Sequence, residues 1–135
     1  MDVNERKSQL GVKTVLEYLK RNGYECTDVS HSRKHKGYDI LARKKGKKIR
    51  IEVKCSTKTG IPDCFGSEFN RKLKVDKANF FYIVRVNKKL KPVKIDILTK
   101  KEINYYKHKR KPIIKLSSEL KRDLRNGKVG KIVGL

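Results

Sequence analysis

An α/β fold, with a five-stranded sheet flanked by helices, is what this 135-residue sequence predicts. Three observations carry it: a first segment with apolar residues at helical spacing, five short apolar or alternating runs of strand length, and helix-start signals toward the C-terminus. A chain of this length buries one core, so residues 1–135 read as a single domain.

The elements follow in order. In residues 3–22 Val12, Val15, Leu16 and Leu19 form one stripe, and Asn22-Gly23 is a stop signal. Residues 24–29 read as a short strand, followed by the basic loop SHSRKHKG. Residues 38–43 and 48–56 are two strands joined by a Lys/Gly turn. The stretch TKTGIPDCFGSEFNRKLKV lacks periodicity and reads as loop, with room for one short helix. NFFYIVRV is an apolar strand covered on both faces, and VKIDIL is its antiparallel neighbour across the NKKLKP turn. Thr99 and Glu102 have the spacing of a capping box, which opens a helix through residue 107. Ser117 is the N-cap expected for a last helix ending at Asn126-Gly127, and KIVGL closes the chain.

Charge narrows the partners. Thirty-seven Lys and Arg against fourteen Asp and Glu give a formal net charge of +23, the footprint of a protein that docks on a polyanion, with nucleic acid first among the choices. There is no apolar stretch of membrane-spanning length and no basic amphipathic helix with aromatic anchors, so a membrane partner is not expected. Cys26, Cys55 and Cys64 are odd in number and lack CxxC or Cys/His ligand spacing, which argues against a disulfide framework and a structural zinc site. His31 and His35 fall outside recognised metal-ligand spacings. The charged start, MDVNERKSQL, has no apolar signal core, so a cytoplasmic protein is expected.

Against this basic background stand two acids, in GYDI and IEVKCS. Ile49, Ile51, Val53 and Cys55 alternate with Arg50, Glu52, Lys54 and Ser56, so Glu52 and Lys54 share the polar face of a strand. With Lys45-Gly46 as a two-residue turn, counting outward sets Arg43 opposite Lys48, Ala42 opposite Ile49, Ile40 opposite Ile51 and Asp39 opposite Glu52. That register also collects Tyr38, Ile40 and Ala42 with Val53, Ile51 and Ile49 on the apolar face. Carboxylates roughly 5 Å apart repel by about 3 kcal/mol at an effective dielectric near 20. Something positive has to compensate: Lys54 and the basic loop in an ion cluster, or a divalent cation, for which two carboxylates are a hard-oxygen ligand pair.

GYDI, a short spacer and IEVKCS resemble the PD-(D/E)xK nuclease superfamily, with an arrangement similar to archaeal Holliday junction resolvases and small intron-associated endonucleases. The resemblance spans residues 8–56, and FFYIVRV followed by KIDIL is similar to the continuing core more loosely. It implies a restriction-endonuclease-like core with a central mixed five-stranded sheet, and metal-dependent hydrolysis of DNA phosphodiesters leaving a 5′-phosphate. Asp39 and Glu52 would be ligands of Mg²⁺ or Mn²⁺, with the Val53 carbonyl as third, and Lys54 would orient or activate the attacking water. Branched or structured DNA is the substrate the likeness suggests, and a homodimer would suit paired cuts.

One departure stands out. Many members place a Glu just after a Gly in the first helix, whereas here Val12 follows Gly11. Glu17 lies five residues on, about 140° around the helix, so Glu5 and Gln9, on the stripe of Val12, are the candidate contributors from this helix. For nucleic-acid contacts the candidates are Ser30, Ser32, Arg33, Lys34 and Lys36 before Asp39, and Ser56, Lys58 and Arg71 after Lys54. A non-catalytic nucleic-acid-binding module, with Val12 as its mark, is the competing reading.

Overall fold

The computed structural model describes residues 2–31, 38–57, 77–103, 122–123 and 126–135. The first helix, α1 (Val3–Arg21), starts where the Asp2 carboxylate accepts the Glu5 N–H at 2.8 Å and ends at Asn22, followed by Gly23 at φ 86°. Both signals are local, which is why the sequence places this helix to within a residue.

Among the described residues six strands follow: β1 (Glu25–Asp28), β2 (Ile40–Lys44), β3 (Lys47–Ser56), β4 (Phe80–Val86), β5 (Pro92–Thr99) and β6 (Lys131–Gly134). They lie in one sheet in the order β1-β2-β3-β4-β5-β6, parallel between β3 and β4 and antiparallel elsewhere. The five-stranded expectation is therefore corrected to six. The missed strand is in KIVGL, where four mostly exposed residues pair at the sheet edge with β5. A short edge strand lacks the alternation that marks a half-buried one.

The β2–β3 hairpin has the expected register, from Lys44 opposite Lys47 to Ile40 opposite Ile51. Lys45 at φ 50° and Gly46 at φ 77° occupy the left-handed positions of a type I′ turn, where glycine relieves strain. Tyr38 departs from the expectation. The chain bends before β2 begins, and the Tyr38 ring lies 5.5 Å from the Arg50 guanidinium instead of joining Ile40 and Ala42 in the core.

One face of the sheet packs on α1. Val12, Val15 and Leu19 meet Ile40, Ala42, Ile51, Val53, Tyr82, Val84, Ile95 and Ile97 in one cluster. Gly11 sets how closely α1 approaches β3: a Cβ there would stand 3.1 Å from the Cys55 Cβ and 3.3 Å from the Val53 Cγ1. On the other face the β4–β5 half is buried, with Phe81, Ile83 and Leu98 closed off around a buried Arg85–Asp96 ion pair.

The Thr99–Glu102 capping box is present. Glu102 N–H donates to Thr99 Oγ1 at 3.1 Å, and Thr99 N–H donates to Glu102 Oε1 at 3.0 Å. Residues 100–103 are helical, with Ile103 fully buried. Glu102 Oε2 also accepts the Gly130 N–H at 2.6 Å, which ties the chain before β6 to this helix start. The expected course to residue 107, the Ser117 cap and the loop from residue 58 lie outside the described residues, whereas residues 122–123 are helical and Gly127 follows at φ 72°. No helix among the described residues is long and apolar enough to cross a membrane.

Candidate functional site

β2 is shorter than β3, and that mismatch opens the site. The β2–β3 pairing runs out at Ile40 and Ile51, while β3 continues beside β4 to Ser56. In the gap Asp39 bridges onto β3: its N–H donates to the Ile51 carbonyl at 2.8 Å, and its Oδ2 accepts the Val53 N–H at 2.8 Å. A side chain thus replaces the missing strand partner, and this seats one carboxylate on the edge of β3. The N–H and C=O of a strand residue point to the same edge, so the Val53 carbonyl faces the gap that Asp39 enters.

Glu52 and Lys54 project from the polar face of β3, as the two-residue period requires. Lys54 Nζ lies 3.8 Å from Glu52 Oε1, with side chains 20% and 10% exposed. The crowding of two acids is thus met by a backbone N–H at Asp39 and an ammonium beside Glu52.

Asp39, Glu52, Val53 and Lys54 line one cleft of about 790 Å³, which residues of the N-terminal half of α1 also line. From α1 come Asn4, Lys7, Ser8, Gln9, Val12 and Lys13; from the end of β1 comes Asp28, and from the chain after it Ser30 and His31. Of the two helix candidates, Gln9 lines the cleft, whereas Glu5 is exposed and outside the lining. Val12, 8% exposed, occupies the wall where the resemblance would put an acid. Lys7 and Lys13 went unnoticed in the sequence. Their signal was available: Asn4 and Ser8 extend the Val12 stripe toward the helix start, so the residues flanking that stripe border the cleft.

Ser30 is in the cleft, but its hydroxyl donates to Asp28 Oδ1 at 2.6 Å, and its N–H does so at 3.0 Å. That turn holds Ser30 rather than leaving its proton for a phosphate. Ser56 is the half-buried last residue of β3 and lies beyond the cleft lining. Ser32, Arg33, Lys34, Lys36, Lys58 and Arg71 lie outside the described residues, as do His35 and Cys64. Burial pushes the Cys55 thiol up, with Lys7 opposing the shift, so this cleft residue is a neutral thiol near pH 7.

Among the described residues no group of three or more His, Cys, Asp or Glu side chains gathers to hold a metal ion. The donors in the cleft are two carboxylates and one main-chain carbonyl. That all-oxygen, anionic set matches Mg²⁺, which commonly takes one or two carboxylates and leaves its other positions to water and phosphate.

The family described as Protein NO VEIN, C-terminal matches residues 7–98. The matched span contains α1 from Lys7 onward, all of β1 to β4 and nearly all of β5, and with them Asp39, Glu52 and Lys54. The chain is also similar to a UPF0102 protein of Clostridioides difficile (strain 630), with 28% identity over 108 residues that cover 76% of this chain and 94% of that relative. No solved structure matches the chain.

Proposed function

The chain belongs to the NO VEIN C-terminal family, and on that footing we propose that it is a metal-dependent nuclease hydrolysing DNA phosphodiester bonds, with branched or otherwise structured DNA as its substrate class. The observation that carries the reading is the meeting of Asp39, Glu52 and Lys54 in one cleft of a strongly basic protein. Specificity for structured DNA rests on the likeness to junction resolvases alone.

In this reading the Asp39 and Glu52 carboxylates and the Val53 carbonyl hold Mg²⁺ or Mn²⁺. Such an ion, when bound, polarises the phosphodiester and lowers the pKa of a coordinated water. Asp39 is kept in place by the Val53 N–H, so one of its oxygens is committed to position. Lys54 contributes a fixed positive charge 3.8 Å from Glu52, placed to orient the attacking water and to offset negative charge developing on the phosphate. Lys7 and Lys13 of α1, which line the same cleft, add cations that attract the substrate backbone.

Val12 favours a second reading. An apolar wall stands where the superfamily often carries an acid, which suits a nucleic-acid-binding module without catalysis. The test is cleavage of labelled four-way junction, flap, duplex and single-stranded DNA, in Mg²⁺, Mn²⁺ or chelator, by wild type and Asp39→Asn. Metal-dependent products from wild type only are expected. Tight, salt-sensitive binding with no products under either metal would overturn the nuclease reading in favour of the binding module.

A further inference from the structure

The face of the sheet that bears Glu52 and Lys54 divides into two halves. Over β4 and β5 it is closed, with Phe81, Ile83, Arg85, Asp96 and Leu98 all buried. Over β1, β2 and the first half of β3 its exposed side chains, among the described residues, include Arg43, Lys48 and Arg50. Lys48 and Arg50 stand two strand steps and one step before Glu52 on its own strand, so all three project from the same face. Arg43 lies opposite Lys48 and adds a third cation to that face.

The cations nearby are not equivalent. Lys44 is engaged elsewhere, its Nζ donating to the Asn22 carbonyl at 2.7 Å and lying 5.2 Å from the Tyr24 ring. Arg43 and Lys48 form no ion pair with a described residue, and the one acid facing them across the sheet is Glu25, opposite Arg43. Arg50 is steadied by the Tyr38 ring at 5.5 Å, and Tyr38 adjoins Asp39, so this guanidinium is held beside the cleft.

We propose that Arg50, Lys48 and Arg43 form a track that carries the sugar-phosphate backbone of the nucleic acid away from the cleft, toward the tip of the β2–β3 hairpin. The position of the cut relative to this track rests on the nuclease reading; the binding surface does not. Arg50 and Lys48 lie about 7 and 13 Å from Glu52 along the strand. Successive phosphates of one strand are separated by the turn of the helix as well as by its rise of about 3.4 Å, so the track meets the first two phosphates to one side of the phosphate in the cleft. A row of exposed cations with two arginines suits a duplex arm, and its contacts carry no base information.

The test compares two triple variants that remove equal charge. Arg43→Ala/Lys48→Ala/Arg50→Ala strips the track, and Lys88→Ala/Lys89→Ala/Lys91→Ala strips the β4–β5 turn at the other end of the sheet. Duplex affinity of the full chain is measured in chelator across a salt series. The track variant should lower the slope of log affinity against log salt by about 2 to 3, near 0.9 per lost phosphate contact; the turn variant should change it by less than 1. Arg43→Lys/Arg50→Lys, which keeps the charges, should retain the wild-type slope and so separates charge from folding. Neutral linkages at the first two phosphates beside the cleft phosphate should weaken wild type and leave the track variant unaffected. An unchanged slope in the track variant, or an equal loss in the turn variant, would overturn the proposal. Cleavage is scored separately in Mg²⁺. A lower slope with no cleavage by any protein supports the track and removes the nuclease reading, and cleavage with an unchanged slope does the reverse.

Discussion

Two ion pairs on the same face of the sheet are built for different ends. Arg85 on β4 and Asp96 on β5 close to 2.7 Å with side chains only 6% and 3% exposed, whereas Lys54 and Glu52 on β3 stay 3.8 Å apart with 20% and 10% exposed. The first pair has strands on both sides and is closed off from the surface. The second stands where β2 has left β3, next to a seated Asp39 and an open cleft. Desolvation accounts for the contrast. Interior charges must pair at short range to offset their lost hydration, while charges at a cleft can remain partly hydrated and available to a ligand. Even the interior pair is imperfect, since Asp96 Oδ1 is buried with no hydrogen-bond partner among the described residues.

The contrast breaks or holds on paired measurements of activity and stability. Glu52→Gln should abolish metal-dependent cleavage at a smaller stability cost than Asp96→Ala, because the Lys54–Glu52 pair is longer and less buried than Arg85–Asp96. Denaturant unfolding beside the cleavage assay checks it; undiminished cleavage sinks the site assignment. Asp96→Ala should do the opposite in kind, costing about 3 to 5 kcal/mol by leaving Arg85 buried and unpaired. Replacing both partners with leucine should recover most of that loss, and urea melts of the three proteins decide it.

Smaller effects sharpen the account of the cleft walls. Gly11→Ala adds a methyl group 3.1 Å from the Cys55 Cβ, which can shift only with β3 itself. Overpacking of about 1 to 3 kcal/mol should outweigh the helix-propensity gain of about 1 kcal/mol, giving a net loss in the same melts. Thr99→Ala removes a capping hydroxyl and should cost about 1 kcal/mol. Burial raises the Tyr82 phenol well above its ordinary value of 10.0. Below that value its contribution to stability is fully present. Above it the unfolded chain gives up a proton the folded chain keeps, so stability falls as pH rises. Tyr82→Phe should flatten that alkaline decline, as read from denaturant midpoints between about pH 9 and 11.

How much was legible beforehand differs by element. The α1 limits came from caps next to the helix, and the β2–β3 register came from period-two alternation meeting a two-residue turn. Glu52 and Lys54 follow from the same alternation. Tyr38 was misplaced because alternation was extended past the point where β2 stops, and β6 was missed because an exposed edge strand carries no pattern.

By itself, then, the sequence determined the order of elements from α1 to β5, the shared face of Glu52 and Lys54, and the excess of positive charge. These depend on near neighbours and on side-chain identity. Tertiary structure alone decided that Asp39 caps the Val53 N–H, that Gly11 brings α1 against Cys55, that Lys7 and Lys13 line the same cleft as the acids, and that, among the described residues, one half of a sheet face is exposed while the other half is buried. Each of these joins residues far apart in the chain, and packing selects among such pairings by burial and backbone hydrogen-bond satisfaction, which no local period encodes.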